Sequence, residues 1–176
     1  MNLKDLPIGD QAPDVIRAII EIPKGSRTEY EYDEQLQLFR LDRILYSSIH
    51  YPQAYGFVPH TLSDDNDALD VIVLTDEELA IGVLLDVRPI GLLVMKDEKG
   101  TNSKVLSIAA KDPRFAEFKD VIDVPNHVLL EIEHFFRTYT HLEEKDAKVF
   151  GWNPAQVARF VITRAMKEYD KRKSIS

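Results

Sequence analysis

Apolar and polar positions alternate in short runs over the first two thirds of the chain, then recur at three- and four-residue spacing in the last third. The alternating runs predict strands at Val15–Ile22, Glu29–Tyr32, Leu36–Leu45, Leu69–Thr75, Gly82–Met95 (bent or broken) and Lys104–Ala109. Turn signals fall between them at Pro23-Lys24-Gly25-Ser26, Asp64-Asp65-Asn66-Asp67 and Asp97-Glu98-Lys99-Gly100. Val128, Ile132, Phe135, Tyr139 and Leu142 share one face of a helix opened by Pro125. A second helix is expected with Asn153 as N-cap and Pro154 at its first position, burying Val157, Phe160, Val161 and Ala165. The pattern predicts an α+β, mainly β fold, a small closed barrel followed by helices, in one domain spanning residues 1–176.

Composition narrows the function classes. The chain is 44% apolar and 30% charged, which excludes a disordered chain. No apolar run approaches the ~20 residues of a membrane-spanning helix. The absence of cysteine excludes disulfides, a thiolate nucleophile and cysteine-zinc sites. The first residues carry Asp5 and lack a basic-then-apolar signal pattern, so a cytoplasmic location is expected. A formal net charge of -8 argues against nucleic acid as partner. A small anion stays open as ligand, met by a local cationic pocket or by bound metal ions.

Candidate chemistry lies where charges interrupt this pattern. Asp65, Asp67 and Asp70 crowd a turn entering an apolar strand, either as oxygen ligands for hard cations or as an Asp/Asn-rich turn. An EF-hand is excluded, because Leu69 and Asp70 stand where that loop needs an acceptor and then glycine. The run from Asp97 to Lys104 reads as a hairpin tip that gains meaning only beside the Asp65–Asp70 turn. Glu21 and Arg43 sit within apolar strands, where a charge must be paired; Arg43 suits either a core carboxylate or a phosphate-like anion. Tyr51 and Tyr55 place phenols beside a proline turn, for packing or for hydrogen bonding. His127, His134 and His141 recur every seven residues, about 10 Å apart along a helix, too far to share a metal. They suit a subunit interface or plain exposure.

Taken in order, Glu21-Ile22-Pro23, Tyr30-Glu31, Asp42-Arg43, Tyr51-Pro52, Tyr55-Gly56, Asp65, Asp67 and Asp70-Val71, Asp97-Glu98, Lys104, His134-Phe135-Phe136, Tyr139 and Gly151-Trp152 resemble the family I soluble inorganic pyrophosphatases over nearly the whole chain. The resemblance implies a five-stranded OB-like barrel flanked by C-terminal helices, assembled as a homo-hexamer. It implies hydrolysis of pyrophosphate to two phosphates with several Mg²⁺ ions, Mn²⁺ and Zn²⁺ being alternatives. It also implies metal ligation by Glu21, Asp65, Asp70, Asp97 and the residue at 102, and proton abstraction by Asp67. By the same resemblance Arg43, Tyr55, Lys104 and Tyr139 bind phosphate, with Glu31, Tyr51 and Glu98 around them.

Three positions depart from the family pattern. Glu29 and Thr140 stand where the resemblance implies phosphate-binding lysines, and Asn102 where it implies a metal-ligating aspartate. Asn102 offers one neutral oxygen in place of a carboxylate. Glu29 is expected to aim a negative charge at the substrate, unless Arg27, two residues earlier on the same strand face, pairs with it or reaches the phosphate itself. Two readings follow: a Mg²⁺-dependent hydrolase of reduced activity, or a non-catalytic paralogue serving as a ligand-sensing or scaffold protein.

Overall fold

The computed structural model describes residues 1–97, residue 97 as backbone only, and residues 100–175. In chain order the elements are β1 (Ile16–Ile22), β2 (Thr28–Asp33), β3 (Leu38–Ile44), β4 (Ala54–Val58), β5 (Leu69–Leu74), β6 (Leu84–Asp97), β7 (Gly100–Ala109), α1 (Asn126–Thr138), β8 (Lys148–Pro154) and α2 (Ala155–Ile175). Strand β1 pairs with β4, β4 with β5, β5 with β7 and β7 with β6, and β6 returns to β1. Five strands thus close into a ring whose pairs are antiparallel apart from the parallel β5–β7 pair. Closure is possible because β6 is long: its first residues face β1, its later ones β8, with a register shift between Pro89 and Gly91. Strands β2 and β3 form a separate hairpin over one end.

Among the described residues two of the three apolar clusters join the helices to the ring. On one side Ala158, Ile162 and Ala165 of α2 pack with Ile16, Ile20, Val71 and Val105. On the other, Ile132, Phe135 and Phe136 of α1 pack with Ile22, Leu45, Tyr51 and Met95. The helical expectations need three corrections. Leu142 leaves the α1 face: the helix stops at Thr138, and Leu142 lies in a separate 3₁₀ turn, His141–Glu143, where it is 61% exposed. Asn153 and Pro154 end β8, paired with Leu92 and Gly91, so the ladder claims the residues that read as a helix start. Phe160, expected in the core, is exposed.

Two β-bulges steer charges out of the apolar alternation. Opposite β4, the register runs from Ile20–Gly56 to Ile22–Tyr55, leaving Glu21 as the extra residue. In the hairpin it runs from Glu29–Arg43 to Tyr30–Leu41, leaving Asp42 extra. A bulge re-aims neighbouring side chains. It also breaks the face that Arg43 was expected to share with Leu41 and Leu45, which are exposed and buried respectively. The first bulge depends on a close approach. A Cβ on Gly56 would lie 1.9 Å from the Ile19 carbonyl oxygen, so only glycine lets β1 and β4 meet there. Gly56→Ala is expected to destabilise the fold by roughly 3 kcal/mol or more, read as a lower urea midpoint. An unchanged midpoint would show that β1 accommodates the methyl group by shifting.

Candidate active site

A cavity of about 370 Å³ opens where the bulge at Glu21, the β2–β3 hairpin, the Asp65–Asp70 turn and the segment after α1 meet. Glu21, Asp65, Asp67, Asp70 and Asn102 line it together with Arg43, Lys104, Tyr51, Tyr55, Tyr139, Glu29 and Glu31. The side chain of Asp97 and all of Glu98 lie outside the described residues. The backbone of Asp97, at the end of β6, pairs with Gly100 at the start of β7.

The Asp65–Asp70 turn is held by its own polar groups. Asn66 takes the left-handed conformation (φ 67°), which asparagine tolerates. The Asp67 amide donates to the Asp65 carboxylate at 3.2 Å and the Ala68 amide to the Asp67 carboxylate at 2.7 Å. The Lys4 ammonium, from the first residues of the chain, donates to Asp67 at 2.5 Å and pairs with Glu34 at 3.0 Å. At the start of β5, Asp70 stands in register with Lys104 of β7. Lys104 is only 3% exposed. Its ammonium donates to Asp70 and to the Tyr55 hydroxyl, both at 2.7 Å, and lies 5.1 Å from the Tyr55 and Phe136 rings.

The opposite wall carries a second buried charge group. Glu29 faces Arg43 across the hairpin; Arg43 Nε donates to Glu29 and Arg43 Nη1 donates to Glu143. The Tyr51 hydroxyl donates to the other Glu29 oxygen at 2.5 Å, and Arg43 lies 5.7 Å from the Tyr139 ring. The expectation that Glu29 aims a bare charge at the substrate is thereby corrected, since each of its carboxylate oxygens accepts a hydrogen bond. Among the described residues Arg27 does not pair with it: Arg27 is exposed and its side chain reaches the Leu45 carbonyl oxygen, at 3.4 Å. Cross-strand opposition, not shared strand face, decided which arginine pairs.

Lys4, Asp42, Lys145 and Asp146 also line the cavity, and Glu143 reaches it through its ion pairs with Arg43 and Lys145; none of them was expected as a site residue. Glu143-Glu144-Lys145-Asp146 reads in sequence as a solvated charge run, and Lys4 carries no local signal at all. His127, His134 and His141 are exposed and take no part in the lining.

Burial is the main reason that the Glu21 carboxyl is pushed up to about 8, opposed by the Tyr32 amide that donates to it and reinforced by the charge of Asp70. Asp65 is raised for the same first reason, then by Asp70 and Asp67. Among the described residues no three histidines or carboxylates close on one point. The donor set is nevertheless that of a hard divalent cation: carboxylate and amide oxygens without thiolate or imidazole, crowded enough that Glu21 resists ionisation without added positive charge.

A family model for inorganic pyrophosphatase matches residues 18–170. The chain belongs to the inorganic pyrophosphatase family. It is 45% identical over 171 residues to an inorganic pyrophosphatase of Thermus thermophilus, covering 96% of this chain and 98% of that one. With an inorganic pyrophosphatase of Methanosarcina mazei it shares 46% over 158 residues, covering 90% and 94%. The crystal structure of inorganic pyrophosphatase from Thermus thermophilus superposes with a TM-score of 0.95 at 44% identity, over 97% of this chain and 99% of that one. A structure of the Helicobacter pylori inorganic pyrophosphatase gives 0.90 at 38% identity, over 94% and 98%.

In this member of the pyrophosphatase family the raised Glu21 links folding to pH. The folded protein holds that proton up to about 8, whereas an ordinary glutamate loses it near 4.5. Between those values the folded state binds more protons than the unfolded state, so this group makes metal-free stability fall as pH rises from about 5 to 8. Glu21→Gln is expected to flatten that decline in thermal midpoints measured in chelator. Equal slopes in both proteins would mean that Glu21 is ionised in the fold.

Proposed function

We propose that the chain is a single-domain enzyme, residues 1–176, that hydrolyses inorganic pyrophosphate to two phosphates with Mg²⁺, Mn²⁺ and Zn²⁺ being alternative metals, as a cytoplasmic homo-hexamer. The observation that carries the reading is the meeting, in one cavity of a pyrophosphatase-family chain, of carboxylates (Glu21, Asp65, Asp67, Asp70) with cations and phenols (Arg43, Lys104, Tyr55, Tyr139). The net charge of -8 supports a small anionic substrate over nucleic acid. No described helix is long and apolar enough to cross a membrane. Exposed large apolar side chains such as Leu130, Phe150 and Phe160 suit burial between subunits.

Glu21, Asp65, Asp70 and Asn102, with Asp97, would hold the metal. Bound divalent cations supply an acidified water and neutralise phosphoryl charge. Asp67 accepts the proton of the attacking water at its carboxylate, held in place by the Lys4 ammonium and the Ala68 amide. Arg43 and Lys104 meet the phosphoryl oxygens as fixed cations, where positioning and charge neutralisation dominate the barrier. Burial pushes the Tyr55 phenol well above its ordinary value and Tyr139 upward, so both keep their protons and act as donors to phosphoryl oxygens at neutral pH. Tyr51, which donates to Glu29, and Glu31 line the cavity beside these groups. Asn102, 3.5 Å from the Lys104 ammonium, brings no charge of its own, which fits a reduced activity. The alternative of a non-catalytic scaffold has no observation in its favour.

A phosphate-release assay with Mg²⁺, Mn²⁺ and Zn²⁺ tests the reading, with activity expected to disappear in chelator and return with metal. Asp67→Asn is expected to lower kcat roughly 10²–10⁴-fold with little change in KM. A parent inert with all three metals would overturn the proposal. By calorimetry without substrate, Asn102→Asp should bind Mg²⁺ more tightly; an unchanged affinity would remove residue 102 from the metal sphere.

A further inference from the structure

The two carboxylates on Arg43 are not equivalent. Glu29 belongs to the β2–β3 ladder, directly opposite Arg43, and its two oxygens accept from Arg43 Nε and from the Tyr51 hydroxyl. Moving its carboxylate would leave the buried Tyr51 hydroxyl without its acceptor. Glu143 ends the 3₁₀ turn His141–Glu143 and is followed by Glu144 in the left-handed conformation (φ 58°). Its side chain is 8% exposed, and Oε2 accepts from Arg43 Nη1 and lies 3.2 Å from the Lys145 ammonium. Its Oε1 is buried without a hydrogen-bond partner among the described residues. A buried carboxylate oxygen with no donor has lost its water without compensation, so this carboxylate is the less firmly seated of the two.

We propose that Glu143 is a built-in rival of the substrate phosphoryl group for Arg43, an affinity-setting residue whose departure releases Lys145 to the incoming anion. The inference rests on the pyrophosphate reading of this cavity. Glu143 offers the guanidinium a planar carboxylate next to the cavity that Arg43 and Lys145 line. A phosphoryl group brings more charge and three acceptor oxygens, which favours the exchange at Nη1 while Glu29 keeps Nε aligned. Lys145 already lines the cavity. Its backbone stays anchored through the exchange, because the buried Thr140 hydroxyl donates to the Lys145 carbonyl oxygen at 3.1 Å and the Lys145 amide reaches the Thr140 carbonyl oxygen at 3.4 Å. Thr140, itself without charge, thus fixes the loop that presents a lysine.

Calorimetric titration of the full-length protein with inorganic phosphate, at fixed Mg²⁺, tests the exchange independently of turnover. Glu143→Gln, and Glu143→Ala as a second variant, are expected to bind phosphate roughly tenfold more tightly than the parent and to lower KM for pyrophosphate. Lys145→Met should weaken phosphate binding, by a larger factor in the Glu143→Gln background than in the parent. Folded Glu143 variants that bind phosphate no better than the parent would overturn the proposal. So would a Lys145→Met change with no effect in the Glu143→Gln background. Tighter phosphate binding in a protein that hydrolyses no pyrophosphate would uphold the exchange and sink the catalytic reading instead.

Discussion

Carboxylates gathered at one mouth of a strand ring repel one another and resist burial, and most charges near the cavity are placed in answer to that constraint. Lys104 is buried against Asp70, Lys4 is drawn from the start of the chain onto Asp67, and Arg43 is spread between Glu29 and Glu143. Glu21 feels the charge of Lys4, but burial outweighs it and the carboxyl holds its proton. Positive charge from solution therefore has most to offer at Glu21.

The scaffold serves this arrangement by breaking its own regularity. Regular alternation would turn every second side chain of β1 and β3 towards a core, where an unpaired charge is costly. One extra residue at Glu21 and one at Asp42 redirect charges towards the cavity instead. The bulge in β1 is possible because Gly56 removes the side chain that would meet the Ile19 carbonyl. Fold stability and site geometry are thus joined at one glycine.

The three departures from the family pattern take on a different meaning in this setting. Glu29 is no isolated negative charge but the group that orients Arg43, with Tyr51 closing its other oxygen. Thr140 gives up a side-chain charge yet ties down the backbone of Lys145. Asn102 alone remains a plain loss of charge within reach of Lys104. Glu29 and Thr140 are thus each engaged with neighbours, Glu29 with Arg43 and Tyr51 and Thr140 with Lys145.

The sequence by itself determined the mainly β class, most strand positions, the start of α1 and a family membership carried by ordered motifs over nearly the whole chain. These follow from local periodicity and from residue types that chemistry demands, both of which are written along the chain. Strands β4 and β8 escaped, because Gly56 in one and Gly151, Asn153 and Pro154 in the other read as breakers until a neighbouring strand supplies their partners. Only the tertiary structure decided that Arg43, rather than Arg27, meets Glu29, that Lys4 lines the cavity, and that Glu143 pairs with Arg43 behind it. Lys4 lies 63 residues from Asp67 and Glu143 lies 100 from Arg43. Pairings over such separations depend on ring closure and strand register, which fix distance and direction between side chains that no local pattern connects.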